Sequence, residues 1–296
     1  MSNPPDRGHI ATEHVHDGTH NLDLLSTLES VELLSKDHEQ AILAVQSASK
    51  EIAKFVDALV PRITDGGRLI YFGCGTSGRL GVLDAAECPP TFQSPPEMII
   101  ALIAGGDASL RTSSEAKEDD PKGITADFER IALNSKDTVL GIAAGGTTPW
   151  VLGGLELASK QCAMTGFLTC SVVTPEVDHL IYLNTGAEPL TGSTRLKAGT
   201  ATKLTLNIIT TALFNNLGKI YGNLMVDLKA TNSKLLDRGI RIVCEICDIS
   251  RDASATLLAT SGGEVKTAIV MYKHDVDVEE AQAILSKAGD NLRAVL

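Results

Sequence analysis

The sequence predicts an α/β fold: a doubly wound, five-stranded parallel sheet with N-terminal helices and a small helical C-terminal module. Three observations carry this. Short, continuous apolar runs recur between residues 66 and 183. Amphipathic stretches of helical period separate most of them. Within each run apolar residues follow one another without polar alternation, the pattern of strands covered on both faces.

Taken in order, the first twenty or so residues hold four of the seven histidines (His9, His14, His16 and His20) and few apolar groups. No carboxylate or cysteine cluster completes a metal site around His14-Val-His16, so the segment is expected to be a mobile or partner-contacting arm. Helical periodicity starts near Ser35 to Asp37 and puts Ile42, Val45, Ile52, Phe55 and Leu59 on one face. Strands are expected at residues 69–74, 98–104, 138–144, 164–170 and 180–183, with helices at 79–86, 124–133 and 149–160 between them. Five strands so connected fit a flavodoxin-like order, which places ligands at the C-terminal strand ends. Residues 193–221 read as one long helix, and beyond Asp248 a three-helix unit is expected. The division that follows is residues 1–60 for the arm and first helices, 61–230 for the sheet domain and 231–296 for the helical module.

Composition limits the partners. Of 296 residues 43% are hydrophobic and 21% charged, enough apolar material for a sizeable core. A net charge of −11 with no basic run excludes nucleic acid, whose backbone needs clustered Lys and Arg. An anionic small substrate requires local positive charge, and Arg79, Arg195, Lys197 and Lys203 are the candidates. Residues 1–7 carry no apolar run, so no signal peptide is expected there. Nowhere do about 18 apolar residues follow one another, so no membrane span is expected. Six cysteines do not suggest a disulfide scaffold, and Cys244-Glu-Ile-Cys247 lies in a helical stretch without a second pair. A reduced, cytoplasmic setting is the expectation.

The chemistry concentrates at Arg68-Leu-Ile-Tyr-Phe-Gly-Cys-Gly-Thr-Ser-Gly-Arg79. Gly73, Gly75 and Gly78 satisfy GxGxxG between a strand and a helix, a weak dinucleotide signal on its own. That fingerprint also needs a ribose-binding acid at the end of the second strand, where this chain has Gly105-Gly106. Thr76 and Ser77 instead place hydroxyls inside the turn, which with free N–H groups suits a phosphomonoester. A sugar phosphate is therefore preferred over a dinucleotide, with Gly75, Thr76, Ser77 and Arg79 holding the phosphate. Two further turns repeat the theme: Gly145-Gly146-Thr147-Thr148-Pro149 after the third strand, and Thr191-Gly-Ser193-Thr194-Arg-Leu-Lys197-Ala-Gly199 before the long helix. The start of that helix is expected to attract an anion or sugar hydroxyls, unless Ser193 or Thr194 merely caps it. Glu87, ahead of Pro89-Pro90, is a carboxylate at the end of the phosphate-turn helix. Glu118 lies in an acidic run, residues 115–120, that by itself reads as a solvated helix end.

These residues resemble the N-acetylmuramic acid 6-phosphate etherases, a family of the sugar-isomerase (SIS) fold group. The resemblance is carried by Leu25-Ser-Thr-Leu-Glu29, Gly75-Thr-Ser-Gly-Arg-Leu-Gly-Val-Leu-Asp84, Glu87-Cys-Pro-Pro-Thr91, Glu118-Asp119, residues 191–200 and Tyr221-Gly-Asn-Leu-Met-Val-Asp-Leu228. It implies a carbon–oxygen lyase of cell-wall recycling that removes D-lactate from C3 of the phosphorylated amino sugar and then adds water. By the same resemblance Glu118 is the base and Glu87 the acid, no metal or redox cofactor is needed, and the chain forms a homodimer. One departure stands out. The family usually reads Ala-Ala-Ser-Gly-Arg-Thr-Pro-Tyr where this chain reads Ala143-Ala-Gly-Gly-Thr-Thr-Pro-Trp150, so a serine and an arginine are missing. Cys74 echoes the glucokinase regulatory proteins, which implies, as the alternative, a sugar-phosphate-binding regulator without turnover.

Overall fold

The computed structural model describes residues 6–112, 117–228 and 232–296. It forms two compact units: Met1–Ala86 with Glu97–Thr210, and Glu87–Pro96 with Thr211–Leu296. The boundary expected at residues 230 and 231 falls outside the described residues.

In the first unit the described part of the N-terminal arm, from residue 6, packs on the core at several points. Ile10 and Thr12 are buried, and His16 Nε2 lies 3.0 Å from Asp37 Oδ1. Helix α1 (Thr27–Asp37) starts well before the expected point. Ser26 and Glu29 form a capping box there, the Ser26 N–H donating to the Glu29 carboxylate at 2.8 Å. Helices α2 (Glu39–Ser47) and α3 (Ser49–Thr64) follow. Val45, Ile52, Phe55 and Leu59 are buried as expected, but Ile42 is 51% exposed. The break between α2 and α3 resets the helical phase, and Ala41 and Ala44 face inward instead.

The sheet follows: β1 (Leu69–Gly73), α4 (Gly75–Phe92), β2 (Ile99–Ile103), α5 (Thr125–Arg130), β3 (Thr138–Ile142), α6 (Pro149–Lys160), β4 (Met164–Thr169) and β5 (His179–Tyr182). All five strands are parallel in the order β2-β1-β3-β4-β5, the flavodoxin-like order. Gly73 at the end of β1 pairs with Ile103 of β2 and Ile142 of β3, so these strand ends are level. Phe72 meets Phe128 and Trp150 edge-on or tilted, at centroid distances of 5.7 and 5.9 Å, within a core of Ile70, Val139, Leu155 and Phe167.

Helix α7 (Lys197–Asn216) is shorter than the long helix expected at 193–221. An antiparallel pair, β6 (Ile220–Tyr221) and β7 (Leu224–Met225), takes up its far end, because Gly218 and Gly222 adopt positive φ. Helices α8 (Ser233–Cys247), α9 (Arg251–Thr260), α10 (Val265–His274), α11 (Val278–Lys287) and α12 (Leu292–Val295) complete the second unit around Val243, Leu258 and Ile269. Four helices rather than three thus follow Asp248. Among the described residues no helix is long and apolar enough to cross a membrane.

One ion pair fixes the start of the sheet. Arg68 Nε and Nη2 donate to the two Asp137 carboxylate oxygens at 2.9 and 2.6 Å, and Asp137 also accepts from the Asn134 N–H. The Asp137 side chain is 1% exposed, and its hydrogen bonds hold the Arg68 guanidinium above its usual pKa. Asp137→Ala should lower the unfolding free energy by about 1–3 kcal/mol, because it takes the carboxylate from a partly exposed guanidinium and from several N–H donors. Denaturant unfolding checks this, and a loss below about 1 kcal/mol would contradict it.

Candidate active site

Helix α4 starts at Gly75, with only Cys74 between it and Gly73, the last residue of β1. A Cβ on Gly78 would lie 2.5 Å from the Gly73 carbonyl oxygen and 2.7 Å from Ile103 Cγ1, so only glycine lets the helix sit this close to the sheet. The first-turn N–H groups of a helix have no intrahelical partner, and α4 carries no acid in that turn to occupy them. The residues of that turn line a cavity of about 420 Å³ at the level ends of β1 and β3.

Gly75, Thr76, Ser77 and Arg79 all line this cavity, together with Glu118. One Arg79 N–H donates to the Leu110 carbonyl at 3.2 Å, which orients the guanidinium. Glu118 is half-buried, and its carbonyl accepts from the Trp150 N–H, an otherwise unpaired donor in the first turn of α6, at 2.9 Å. The acidic run read around it extends into residues 113–116, outside the described residues. Cys74 also lines the cavity, and its thiol is pushed up to about 12, by burial first and then by the charges of Glu118 and Asp119. It is therefore a neutral, small lining group at neutral pH.

The other turns contribute in part. Gly145 and Thr148 line the cavity, whereas Gly146 and Thr147 form the bend behind them, with Gly146 at φ +73° donating to the Ala143 carbonyl. Gly192 and Thr194 line it and Ser193 does not. Gly199 and Thr202, in the first turns of α7, line it too. Gly199 closes the run read from the sequence, whereas Thr202 was not singled out, although it continues the small and hydroxyl pattern.

The expectation for the start of α7 is corrected. The fully buried Glu188 carboxylate accepts from the Lys197 and Ala198 N–H groups, each at 2.9 Å, so the chain's own acid occupies that helix end. Lys197 lies away from the cavity, its ammonium donating to Asp37 Oδ1 at 3.0 Å. Arg195 and Lys203 are exposed. Glu87 is exposed on α4 and falls in the second compact unit, while the cavity lining comes from the first.

Asp84, unremarked in the sequence beyond its motif, couples the helices flanking the cavity. Its buried carboxylate accepts from Asn207 at 2.7 Å, Tyr71 at 3.1 Å and Thr210 at 3.3 Å. Burial raises its pKa, against the pull of those hydrogen bonds.

One cavity thus gathers a glycine–hydroxyl turn, one arginine and a half-buried carboxylate. The chain is 46% identical to N-acetylmuramic acid 6-phosphate etherase of Crocosphaera subtropica, over 100% of this chain and 98% of that protein. It is 47% identical to that of Trichormus variabilis, over 99% and 96%. This chain belongs to the N-acetylmuramic acid 6-phosphate etherase family. The family model for the glucokinase regulatory protein N-terminal SIS domain matches residues 51–159. Among solved structures, Escherichia coli CFT073 c3406 in complex with A5P is similar at 15% identity and a TM-score of 0.49, over 67% of this chain and 97% of that one. A phosphoheptose isomerase from Francisella tularensis is similar at 16% and 0.45, over 64% and 100%.

The proximity of Glu118 to Cys74 gives an electrostatic check. In Glu118→Gln the charge that helps hold up the Cys74 thiol is gone, so its pKa falls. Alkylation of Cys74 at a fixed alkaline pH, followed by peptide mass spectrometry, should be faster in the variant than in the wild type. Equal rates would contradict the proximity.

Proposed function

We propose that this chain is a carbon–oxygen lyase that cleaves the D-lactyl ether of N-acetylmuramic acid 6-phosphate, giving N-acetylglucosamine 6-phosphate and D-lactate. The carrying observation is that Glu118 shares one cavity with the anion-binding start of α4. Full-length membership of the etherase family supports the same reading. The α4 N-terminus, the Thr76 and Ser77 hydroxyls and Arg79 hold the phosphate, and Thr148 and Thr194 face the sugar. Gly146, Thr147 and Ser193 shape the turns behind, and Lys197 steadies α7 through Asp37.

The chemistry is proton transfer. In the open-chain aldehyde the carbonyl acidifies the C2 proton, which the Glu118 carboxylate removes. The electron pair of that C–H bond forms the C2–C3 double bond and expels the ether oxygen from C3. Glu87, as the general acid, gives a proton to that oxygen, so lactate leaves as the alcohol. Water then adds its hydroxyl to C3, and C2 regains a proton. The Glu87 assignment rests on the sequence resemblance. A non-catalytic regulator is the weaker reading, because the full-length relatives carry the etherase name and Glu118 lies in the cavity.

The wild-type chain should release D-lactate from N-acetylmuramic acid 6-phosphate. Glu118→Ala and Glu87→Ala should each lose at least about a hundredfold in kcat at an unchanged thermal midpoint, the usual scale for a general base or acid. No lactate from the wild type would sink the proposal.

A homodimer is part of it. Exposed Glu87 is proposed to serve the cavity of a second copy. Mixing folded Glu87→Ala and Glu118→Ala chains under exchange conditions should then restore activity, since one site of each mixed dimer is intact. Mixtures as inactive as their components would refute a shared site.

A further inference from the structure

The N-terminal arm touches the cavity walls in a way that the reaction above leaves unused. Thr12 is 0% exposed, and its hydroxyl has no hydrogen-bond partner among the described residues. Buried hydroxyls are nearly always paired, so an orphan beside a binding cavity needs an explanation. Its position supplies one. Gly145 lines the cavity, and a Cβ built on it would meet only Thr12 Oγ1 within 4 Å, at 4.0 Å, its chain neighbours aside. A gap the size of a side-chain carbon therefore lies beside Gly145, and the Thr12 hydroxyl, itself without accessible surface, stands on its far side. The next residue repeats the relation. A Cβ on Gly192, also in the lining, would lie 3.1 Å from Glu13 Oε2.

The arm is held in place on both sides of these residues. Ile10 is buried at 5% exposure. His16 bonds Asp37 at 3.0 Å, and Asp37 in turn takes the Lys197 ammonium at 3.0 Å. Lys197 opens the helix whose Gly199 and Thr202 line the cavity. The arm and the cavity wall thus share one anchor.

We propose that residues 10–16 form part of the substrate site, with Thr12 and Glu13 as binding residues for the uncharged part of an amino-sugar phosphate. The Thr12 hydroxyl exchanges a hydrogen bond with a polar group of the sugar in the space beside Gly145. The Glu13 carboxylate accepts from a sugar hydroxyl or the acetamido N–H beside Gly192. A carboxylate repels phosphate, so this contact also sets direction: phosphate toward α4 and Arg79, sugar hydroxyls toward the arm. The inference rests on the etherase reading for its substrate, but its test does not depend on turnover.

Thr12→Val keeps the side chain's shape and removes the hydroxyl, and Glu13→Gln removes the charge. With the full chain, three quantities are read: KM and kcat for D-lactate release, calorimetric affinity for N-acetylglucosamine 6-phosphate, and the thermal midpoint. Thr12→Val should raise KM and weaken sugar-phosphate binding about threefold to tenfold, the size of one neutral hydrogen bond. Its midpoint should hold or rise, because an orphan hydroxyl has become a methyl. Glu13→Gln should weaken binding in the same direction. Unchanged KM and affinity in both variants would overturn the inference, as would a lowered midpoint with unchanged affinity, the mark of a purely structural strut. A wild type that binds the sugar phosphate without releasing lactate would refute the etherase reading alone. A wild type that does not bind it would refute both.

Discussion

The site depends on the absence of a side chain at Gly78. Helix α4 has to begin within van der Waals contact of the β1 and β2 strand ends for its free N–H groups to face the cavity, and any Cβ there would collide with the Gly73 carbonyl and Ile103. Shifting the helix outward would carry Thr76, Ser77 and Arg79 away from Glu118 and the loop after β3, the groups with which they share the cavity. Parallel strands supply the other half of the constraint. With β1 between β2 and β3, the connections leaving β1 and β3 part company at their carboxyl ends, and the cleft between them is the natural place for a ligand.

Charge is then distributed to give that cleft a direction. The chain is strongly acidic, so positive potential has to be local. One helix end, α4, has no acid in its first turn and an arginine one turn on. The other, α7, is neutralised from within by Glu188. Two helix starts beside one cavity therefore do different work: the first is free to receive an anion, and the second is sealed and serves as wall. Asp84 ties both helices to Tyr71 of β1, so the two helix starts share one anchor in the sheet.

Much of this was legible in the sequence where a strong local rule applied. The five strands fell within one or two residues of their expected positions, because strands buried on both faces have to be continuous apolar runs. Helix α6 began and ended where expected, with Pro149 suited to its first position. Misses arose where a local rule was overridden or left unread. Helix α4 continues through Pro89 and Pro90 to Phe92, since proline's fixed φ is helical and the chain re-forms a bond from Gln93 N–H to the Pro89 carbonyl. The Ser26-Thr-Leu-Glu29 capping box announced α1 in the sequence, yet periodicity alone placed its start too late. The role of Glu188 could not be read from spacing, because its fully buried carboxylate reaches its N–H partners from outside the helix that it caps. Lys197 looked like a phosphate ligand only until Asp37, 160 residues earlier, was seen to claim it.

The central claim is that a carboxylate in this cavity takes the C2 proton of a phosphorylated amino sugar while lactate leaves C3. Running the reaction in D2O and recording the product by NMR tests it most directly. The account predicts N-acetylglucosamine 6-phosphate bearing deuterium at C2, formed in step with one D-lactate per sugar. Lactate release with protium retained at C2 would contradict proton abstraction by solvent-exchanging Glu118, and deuterium exchange without lactate would reduce the chain to a binding protein with a basic carboxylate.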